Sequence, residues 1–432
     1  MDNTEREVLE VIVVGGGLAG LCAARLCQRA GARVVVVEPH ALGGRARTDV
    51  IDGFSFNLGP HALYMGGPAQ RILGELGIVP TGGPPAAKAT FGVLAGKVGV
   101  LPVGPVSLLK TRFVGAKGKL GIAKVLGTLP RIKADEHANE TVRQWIESLR
   151  VPDDAAALLL MLVRIATYAD APDLLSADVA ISQLQYAVGK GVLYIDGGWQ
   201  SMVDRLAQGV DVRIGRVTRV GADATSGQRA VAVELDNGDV LVARSVIVAS
   251  GLPETAARLL GREPFVVGPP LEAACLELGL RAIPERRVVM GIDQPLYFSV
   301  HSPPARLAPS GMAVAAVARY IAPLGSGGTA PGPSASPAQA RAELEAHARH
   351  SGLTADDIVT ARYLHRMTVV AAMATAATGG LTGRTSVDAS GVPNVFLAGD
   401  WVGPVGHLAD ASLASAEAAA GQALAAAGIA IA

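Results

Sequence analysis

The feature that most constrains this chain is a glycine-rich turn between an apolar run and a helix-forming segment. Residues 11–14 read VIVV, and the run GGGLAG follows at once as residues 15–20. A continuous β-branched run is typical of a parallel strand that is buried on both faces. The turn fits G-x-G-x-x-G, in which the glycines permit a tight turn, close approach of backbone to a pyrophosphate, and packing of the helix on the strand. We therefore expect dinucleotide contacts from this turn, by Gly15, Gly17, Leu18, Ala19 and Gly20.

The segment after the turn indicates which dinucleotide is bound. Residues 18–30 are predicted to form a helix whose N-terminal N–H groups face the phosphates, and a second apolar run, 34–37, ends in Glu38. An acid at this place can accept a hydrogen bond from a ribose hydroxyl and would repel a 2′-phosphate, which favours FAD or NAD over NADP. The run GGRART at 43–48 adds glycines and a forked cation for phosphate, and this favours FAD. The predicted contacts here are Glu38, Pro39, Gly43, Gly44 and Arg45.

A second motif lies near the other end of the chain. Residues 394–398 read as an apolar strand that ends in Gly399-Asp400, and an alanine-rich, helix-favouring stretch follows at 409–427. Asp400 could bond a ribityl hydroxyl or a phosphate-bound water, or be an ordinary turn residue. The positive end of the helix dipole would stabilise the negative charge that a flavin gains on reduction. Almost the whole chain must therefore fold between the two halves of one FAD site.

These motifs together resemble those of a known superfamily. The run GGGLAG, Glu38, the run GGRART, the segment Gly197-Gly198-Trp199 and residues 394–400 are similar to those of flavin amine oxidases, protoporphyrinogen oxidase and phytoene desaturase-type enzymes. The resemblance implies an α/β fold: a Rossmann-like FAD-binding domain with a discontinuous α+β substrate domain. We expect residues 1–85, 200–268 and 385–432 in the FAD-binding domain, and 86–199 and 269–384 in the substrate domain.

The resemblance also suggests residues around the flavin. It implies FAD contacts from Gly59 and Pro60, and from backbone near Val212 at the adenine end. Residues next to the predicted flavin edge complete the expected set: His407, Leu408 and Ala411. His61 and His407 are the two candidate catalytic residues, although a structural histidine is the more common case. Trp199 is expected to pack at a domain crossover.

The chemistry predicted for this site is hydride transfer rather than amine oxidation. Flavin amine oxidases use a lysine late in the chain and an aromatic pair before the flavin, but this chain has no lysine after Lys190 and carries His407-Leu408 where an aromatic is expected. Residues 275–280 and 296–303 resemble phytoene desaturase-type proteins instead. The expected substrate is an apolar, isoprenoid-like small molecule that exchanges a hydride with N5 of a non-covalent FAD. The alternatives are a flavin amine oxidase and a non-catalytic prenyl-binding protein on the same fold.

Composition bounds the partners and the location. The formal net charge is zero, with 38 basic and 38 acidic residues, which argues against nucleic-acid binding. The cysteines Cys22, Cys27 and Cys275 show neither a disulfide framework nor a metal-ligand spacing, and the polar N-terminus does not read as a secretory signal, so a cytoplasmic protein is expected. Residues 110–133 carry seven basic and no acidic residues, which fits either a peripheral membrane contact or a solvated helix. A Gly/Ser/Pro-rich loop is expected at 325–337, and the oligomeric state is not indicated.

Overall fold

The computed structural model describes residues 8–86, 90–102, 104–223, 230–329 and 336–430. Residues 330–335 of the predicted Gly/Ser/Pro loop lie outside the described part. The strands are β1 Val8–Val14, β2 Val34–Glu38, β3 Thr48–Ile51, β4 Phe54–Asn57, β5 Leu63–Tyr64, β6 Gly82–Gly83, β7 Thr90–Leu94, β8 Lys97–Val100, β9 Val192–Ile195, β10 Asp211–Ile214, β11 Val217–Ala222, β12 Val231–Leu235, β13 Val240–Val248, β14 Leu271–Leu280, β15 Val288–Gly291, β16 Leu296–Ser302, β17 Ala313–Ile321, β18 Ile358–Val370 and β19 Val395–Leu397.

The helices alternate with the strands in the first and last parts of the chain and cluster between residues 105 and 189. They are α1 Leu18–Arg29, α2 Pro68–Glu75, α3 Pro105–Lys110, α4 Ala116–Thr128, α5 Val142–Ser148, α6 Asp153–Thr167, α7 Ala177–Gly189, α8 Gln200–Ala207, α9 Pro253–Leu259, α10 Pro337–Arg349 and α11 Leu408–Ala427. None of the helices in the described part of the chain is long and apolar enough to cross a bilayer.

The first sheet joins segments from three distant parts of the sequence. Its order is β10-β2-β1-β13-β12-β11, with β19 paired to β13. The strands β10, β2, β1, β13 and β19 run parallel, and the central strands β1 and β2 have the valine-rich, buried runs that such strands need. The C-terminal strand β19 therefore lies beside β13 and brings residues 399 and 400 to the same sheet edge as the glycine turn after β1.

Helices α1 and α11 pack against each other and against this sheet. Their contact faces consist mostly of alanine, with Cys22 and Cys27 on α1 fully buried. The Sγ atom of Cys27 lies 4.0 Å from the carbonyl oxygen of Ala420 on α11. All three cysteines are free and buried, and burial raises the pKa of each thiol. Cys22 and Cys27 serve as small apolar core residues between α1 and its neighbours.

The second sheet has seven strands and is almost entirely antiparallel. Its order is β18-β14-β17-β16-β15-β7-β8, antiparallel throughout except for the β15–β7 pair. The long strands β14 and β17 are almost completely buried, because α10 covers one face and the end of α6 and the β3–β4 hairpin pack on the other. The hairpin β7–β8 and the helical region α3–α7 fill the chain between residues 90 and 189. The limits of the two domains remain a prediction.

Candidate cofactor and substrate site

The glycine turn after β1 has the shape of a dinucleotide cradle. Gly15 has a φ of +111°, and a Cβ there would lie 2.4 Å from the carbonyl oxygen of Ala249. A Cβ on Gly20 would lie 1.9 Å from the carbonyl oxygen of Gly15, so α1 sits directly on the turn. Gly17 differs, because a Cβ there would meet nothing within 4 Å. Gly17 therefore presents bare backbone to an open space at the N-terminus of α1, as an anionic pyrophosphate requires.

That open space is a cavity of about 1110 Å³. It runs from the carboxyl end of the parallel strands to the buried face of the second sheet. Such a volume exceeds that of ordinary drug-sized sites and suits a dinucleotide with substrate room beside it. The lining residues are 14, 15, 17–19, 37–40, 43–46, 58, 60–62, 168, 199, 216–218, 249–252, 255, 258, 259, 273, 275, 367–369, 399, 400, 408, 409 and 412.

Glu38 lies at the end of β2 and lines the cavity. Its Oε2 accepts a hydrogen bond of 2.7 Å from the N–H of Gly16, and its Oε1 accepts one of 3.0 Å from the N–H of His40. The carboxylate is thus fixed beside the glycine turn, and its predicted ribose contact stays a prediction. Pro39, Gly43, Gly44, Leu18 and Ala19 also line the cavity.

Arg45 and Asp400 join the two end motifs directly. The two terminal nitrogens of Arg45 donate to the two oxygens of Asp400 over 2.7 and 2.8 Å. The side chain of Asp400 is only 3% exposed, and it also accepts from the N–H of Ala371 at 3.1 Å. The sequence predicted separate contacts of these residues with phosphate and ribityl groups. In the structure they bind each other, which is the bidentate geometry that arginine and carboxylate favour.

Arg384 holds the loop that follows Asp400, and sequence reasoning missed it. Its Nη1 donates to the carbonyl oxygen of Asp400 at 3.1 Å, and its Nη2 donates to that of Gly406 at 2.8 Å. Burial lowers the pKa of Arg384 to about 10. Since the partners are backbone carbonyls, no sequence pattern marks this role. The cation fixes residues 400–406 ahead of α11.

Of the residues expected at the flavin edge near the start of α11, His407 has a different position in the structure. Leu408 lines the cavity, together with Ala409 and Ser412. The ring of His407 instead points to the end of α6, where Nε2 lies 3.0 Å from the carbonyl oxygen of Thr167. Burial lowers its pKa to about 4, so the ring is neutral. His407 is therefore a packing residue in this structure and not a cavity group, and Ala411 is likewise buried away from the cavity.

The loop that carries His61 crosses the middle of the cavity. Leu58, Pro60 and His61 line it, and His61 Nδ1 lies 3.0 Å from the carbonyl oxygen of Gly59. The His61 ring meets the edge of Trp199, with 5.1 Å between ring centroids, and burial lowers the pKa of His61. His61 is the candidate catalytic residue that stays at the cavity. Gly59 lies behind the wall, because a Cβ there would be 2.8 Å from the Met367 sulfur.

A buried charge cluster anchors this loop, and it too was not anticipated. Arg362 on β18 donates to Glu277 on β14 at 2.8 Å, to Asp49 at 2.6 Å and to the carbonyl oxygen of Asn57 at 2.5 Å. The backbone N–H of Gly59 donates to the carbonyl oxygen of Asn57 at 2.8 Å, so the loop closes on the same residue that Arg362 binds. Burial raises the pKa of Glu277 to about 7, against the opposing effect of Arg362. The cluster ties the β3–β4 hairpin and the His61 loop to the second sheet.

Residues of the second sheet form the far wall. Ala273 and Cys275 on β14 face the cavity with Met367, Thr368 and Val369 on β18. Tyr168, which follows α6, completes the wall and donates to the carbonyl oxygen of Pro60 at 3.1 Å. Every charged side chain of the described lining lies instead on the nucleotide side: Glu38, Arg45, Arg216, Arg258 and Asp400.

The structure does not place Val212 at the cavity, where a contact with adenine was expected. Val212 lies inside β10, paired with Val36, and does not line the cavity. The residues that do so are Arg216, Val217 and Thr218, just after β10. Residues 249–252, after β13, were also missed. They follow the carboxyl end of a parallel strand next to β1, which is where ligands bind in such sheets, so the signal was present.

Fold and cavity define the class of protein: a two-sheet dinucleotide-binding enzyme fold with the cofactor cradle built from both ends of the chain. The residues fit FAD, with Gly17 and α1 for the pyrophosphate and Glu38 for the ribose. The sequence profile of the family described as flavin containing amine oxidoreductase matches residues 18–279. The chain belongs to this family, and it is an FAD-dependent oxidoreductase.

Individual relatives share short segments or the fold alone. Polyamine oxidase 2 of Arabidopsis thaliana is 40% identical over 72 residues, which is 16% of this chain and 15% of that protein. Carotenoid 3,4-desaturase of Haloarcula japonica is 42% identical over 72 residues, 16% of this chain and 14% of its own length. Putrescine oxidase bound to putrescine matches with a TM-score of 0.71 and 16% identity, over 97% of this chain and 100% of that one. The chain thus spans only a small part of these two curated relatives, while the fold match is end to end.

Proposed function

We propose that this enzyme transfers a hydride between an apolar, isoprenoid-like substrate and N5 of a non-covalent FAD. The observation that carries the proposal is the far wall of the cavity. None of its side chains carries a charge: they are those of Tyr168, Ala273, Cys275, Met367, Thr368 and Val369, with the neighbouring Leu58. A dry, mostly aliphatic wall binds a hydrocarbon by area alone and would leave a cationic amine without a counter-ion.

The protein's own part in such a reaction is positioning and exclusion of water. Bound FAD would supply the hydride acceptor or donor. Gly17 and the N-terminus of α1 would bind the pyrophosphate, and Glu38 would bind the ribose. The His61 loop, tied down by Arg362 and Glu277, would hold the substrate's reacting carbon against the cofactor, since alignment within about 3–3.5 Å accounts for much of the rate in such steps.

His61 is a titratable side chain between the two halves of the cavity that the proposal could use. Burial lowers its pKa, so it is neutral at pH 7 and could take or give a proton without a stable charge. Hydride transfer to or from a hydrocarbon needs little acid–base help, and we assign His61 to contact with the cofactor or substrate rather than to an obligatory proton step.

The three similar proteins named above bear on the substrate class in opposite directions. The carotenoid desaturase acts on a polyene, whereas the polyamine and putrescine oxidases act on amines. The matched segments are too short, or too weakly identical, to choose between them. The absence of any lysine after Lys190 and the leucine at position 408 favour the apolar substrate.

The test is anaerobic bleaching of the flavin. Purified holoprotein should show a flavin absorbance spectrum, and this should bleach on mixing with a reduced isoprenoid or carotenoid precursor but not with polyamines, monoamines or porphyrinogens. Bleaching by an amine alone would replace this proposal with amine oxidation. A colourless protein that rejects added FAD would overturn any redox function.

A pair of variants at one wall position adds a control. Met367→Glu places a charge in the apolar wall and should slow reduction by the hydrocarbon at least about tenfold, with the flavin spectrum retained. Met367→Leu keeps the volume and polarity and should react within about twofold of wild type. Equal rates for the two variants would show that the wall does not contact the substrate.

A further inference from the structure

The charge of this neutral chain is unevenly distributed. Residues 76–134 contain nine lysines and arginines and no aspartate or glutamate, so the rest of the chain has a net charge of −9. The basic residues of this tract are Lys88, Lys97, Lys110, Arg112, Lys117, Lys119, Lys124, Arg131 and Lys133. The proposed hydride transfer does not account for this concentration of positive charge.

The same tract exposes large apolar side chains. Leu109 is 76% exposed, Leu120 is 74% exposed and Val106 is 65% exposed. Val98 and Val100 on β8, the edge strand of the second sheet, are also partly exposed, but they alternate with Gly99 and therefore point to the other face of the sheet. Single exposed apolar residues are ordinary on a protein surface, but three of them within 15 residues of sequence, on α3 and α4, form a patch.

These three residues belong to one continuous surface made of α3 and α4, with β8 beside it. The ammonium group of Lys119 on α4 donates to the carbonyl oxygen of Leu109 on α3 at 2.8 Å, which joins the two helices. The ring of Phe113, between those helices, lies against Gly99 on β8, since a Cβ there would be 2.8 Å from it. We call this the β8–α4 surface.

Its cations are available to a partner. Lys133 is paired with Glu136 and Lys119 donates to the carbonyl oxygen of Leu109, so neither is counted among the available cations. Among the described residues, none of Lys110, Arg112, Lys117 and Lys124 has an acidic group within 4.0 Å. Asp154 is the acid that faces α4, and it is engaged with the backbone N–H of Gly115 at 2.7 Å.

We propose that the β8–α4 surface docks on a bilayer of anionic phospholipid, with Leu109, Leu120 and Val106 inserted among the headgroups and the four free cations beside the phosphates. The charge is complementary, and the arrangement of aliphatic tips between lysines is that of an interfacial membrane anchor. The proposal does not depend on the identity of the substrate.

The composition of the surface distinguishes a bilayer from a protein partner. Protein interfaces are enriched in tyrosine, tryptophan and arginine and depleted in lysine, and leucine and valine seldom dominate their energetics. The β8–α4 surface has the opposite character, with leucine, valine and mostly lysine. A lipid surface needs only apolar area and positive charge, without shape complementarity.

The surface is also connected to the cavity by one rigid element. Asp154 near the start of α6 holds the start of α4, and Tyr168 just after the end of α6 lines the cavity. A helix of 15 residues is about 22 Å long, so docking would place the cavity wall within that reach of the bilayer. An apolar substrate dissolved in the bilayer would then have a short path to the site.

Vesicle co-sedimentation of the holoprotein tests the proposal. Wild type should sediment with phosphatidylcholine vesicles that contain phosphatidylglycerol, and much less with phosphatidylcholine alone. Binding should fall when salt is raised from about 0.1 M to about 0.5 M, because the Debye length shortens. Equal binding to both kinds of vesicle, or to neither, would overturn it.

Matched variants locate the contact. Since each cation near the headgroups contributes a factor of about five to partitioning, the double variant Lys117→Gln with Lys124→Gln should bind at least about 20-fold more weakly. Leu109→Gln with Leu120→Gln should also lose binding. The control is Val266→Gln with Leu324→Gln, at residues 92% and 90% exposed outside the surface, and it should bind as wild type does.

The alternative partner is an outcome of the same experiment. If wild type fails to sediment with anionic vesicles but binds soluble polyglutamate, and the lysine variant loses that binding, the surface serves an acidic protein and the membrane proposal is wrong. A full loss of vesicle binding in the control variant would likewise reject the assignment. The flavin spectrum of each variant reports that the fold is intact.

Discussion

The two halves of the cavity are built in different ways. On the nucleotide side, a turn of consecutive glycines and acids at strand ends lie together because parallel strands end at one sheet edge. On the substrate side, Ala273, Cys275 and Met367 come from antiparallel strands about 90 residues apart, and only the sheet register makes them neighbours. The first half fixes a cofactor by backbone geometry and charge, and the second half offers an uncharged wall whose shape can vary.

Because of this difference, we expect substitutions in the two halves to affect different properties of the protein. Changes at the nucleotide side should cost stability or FAD binding, because the motifs there are part of the first sheet's core. Changes at the substrate side should alter the reaction while the cofactor stays bound. A substitution that changes both FAD binding and the reaction rate would show that the two halves of the cavity are not independent.

The largest effect is expected from two glycines of the same turn. Gly20→Ala puts a methyl group 1.9 Å from a backbone oxygen and should lower the free energy of unfolding by about 3 kcal/mol or more. A Cβ at residue 17 would meet no protein atom within 4 Å, so Gly17→Val should leave the stability of the FAD-free chain within about 1 kcal/mol. It should nevertheless abolish FAD binding. Chemical unfolding of the apoprotein and flavin titration separate the two effects, and full FAD affinity in Gly17→Val would refute the assigned cradle.

The ion pair that joins the chain ends should come next. Arg45→Ala leaves the buried Asp400 carboxylate without its cation, and we expect a loss of about 2–3 kcal/mol, reduced from the fully buried case because Arg45 is partly exposed. In the double variant with Asp400→Ala, the loss should be clearly smaller than the sum of the single losses. Unfolding of the FAD-free protein is the measurement, and additive losses would mean that the pair contributes nothing as a pair.

A pH-dependent effect of similar or smaller size is expected at Asp410. Its Oδ1 accepts from the N–H of Ala69 at the start of α2, and burial raises its pKa to about 6 from 3.8. Between these two pH values the unfolded chain ionises while the folded chain keeps the proton. The contribution of Asp410 to the free energy of unfolding is therefore fully present below pH 3.8. It falls by roughly 3 kcal/mol as pH rises through about 6.

The variant Asp410→Asn cannot titrate and should lack this slope. The difference in unfolding free energy between wild type and variant, measured from pH 4 to pH 8, should move in favour of the variant as pH rises. The exposed Asp388→Asn serves as the control and should show no such trend. If the difference in unfolding free energy between wild type and Asp410→Asn does not change with pH, the carboxyl of Asp410 is ionised in the folded protein over the whole range from pH 4 to pH 8.

The same contrast between the two halves of the cavity explains which site residues could be predicted from the sequence. The glycine turn, Glu38, Asp400 and α11 were found because each is a local pattern with one geometric use. Tyr168, Cys275 and Arg362 could not be found, since their proximity depends on strand register and on the packing of α6. His407 was assigned to the flavin edge by its position in the sequence, but a backbone carbonyl on α6 competes for its ring. Arg45 was expected at phosphate because sequence gives no sign of a partner 355 residues away.

The smallest change in stability, and the sharpest test of separability, is expected at Glu277. This carboxylate lies behind the apolar wall and holds Arg362, which in turn binds the carbonyl oxygen of Asn57, so it is a positioning residue for the His61 loop. Glu277→Gln keeps an acceptor for Arg362 but weakens the charge-assisted bonds, and Asp49 remains as a counter-ion for Arg362. We expect a loss of only about 1 kcal/mol of stability. FAD affinity should change less than about twofold, while the rate of flavin reduction by substrate should fall about tenfold with little change in KM. Because the loop contacts the cofactor side through His61 and the wall through Gly59, a parallel fall in FAD affinity would instead show that the two halves act as one unit.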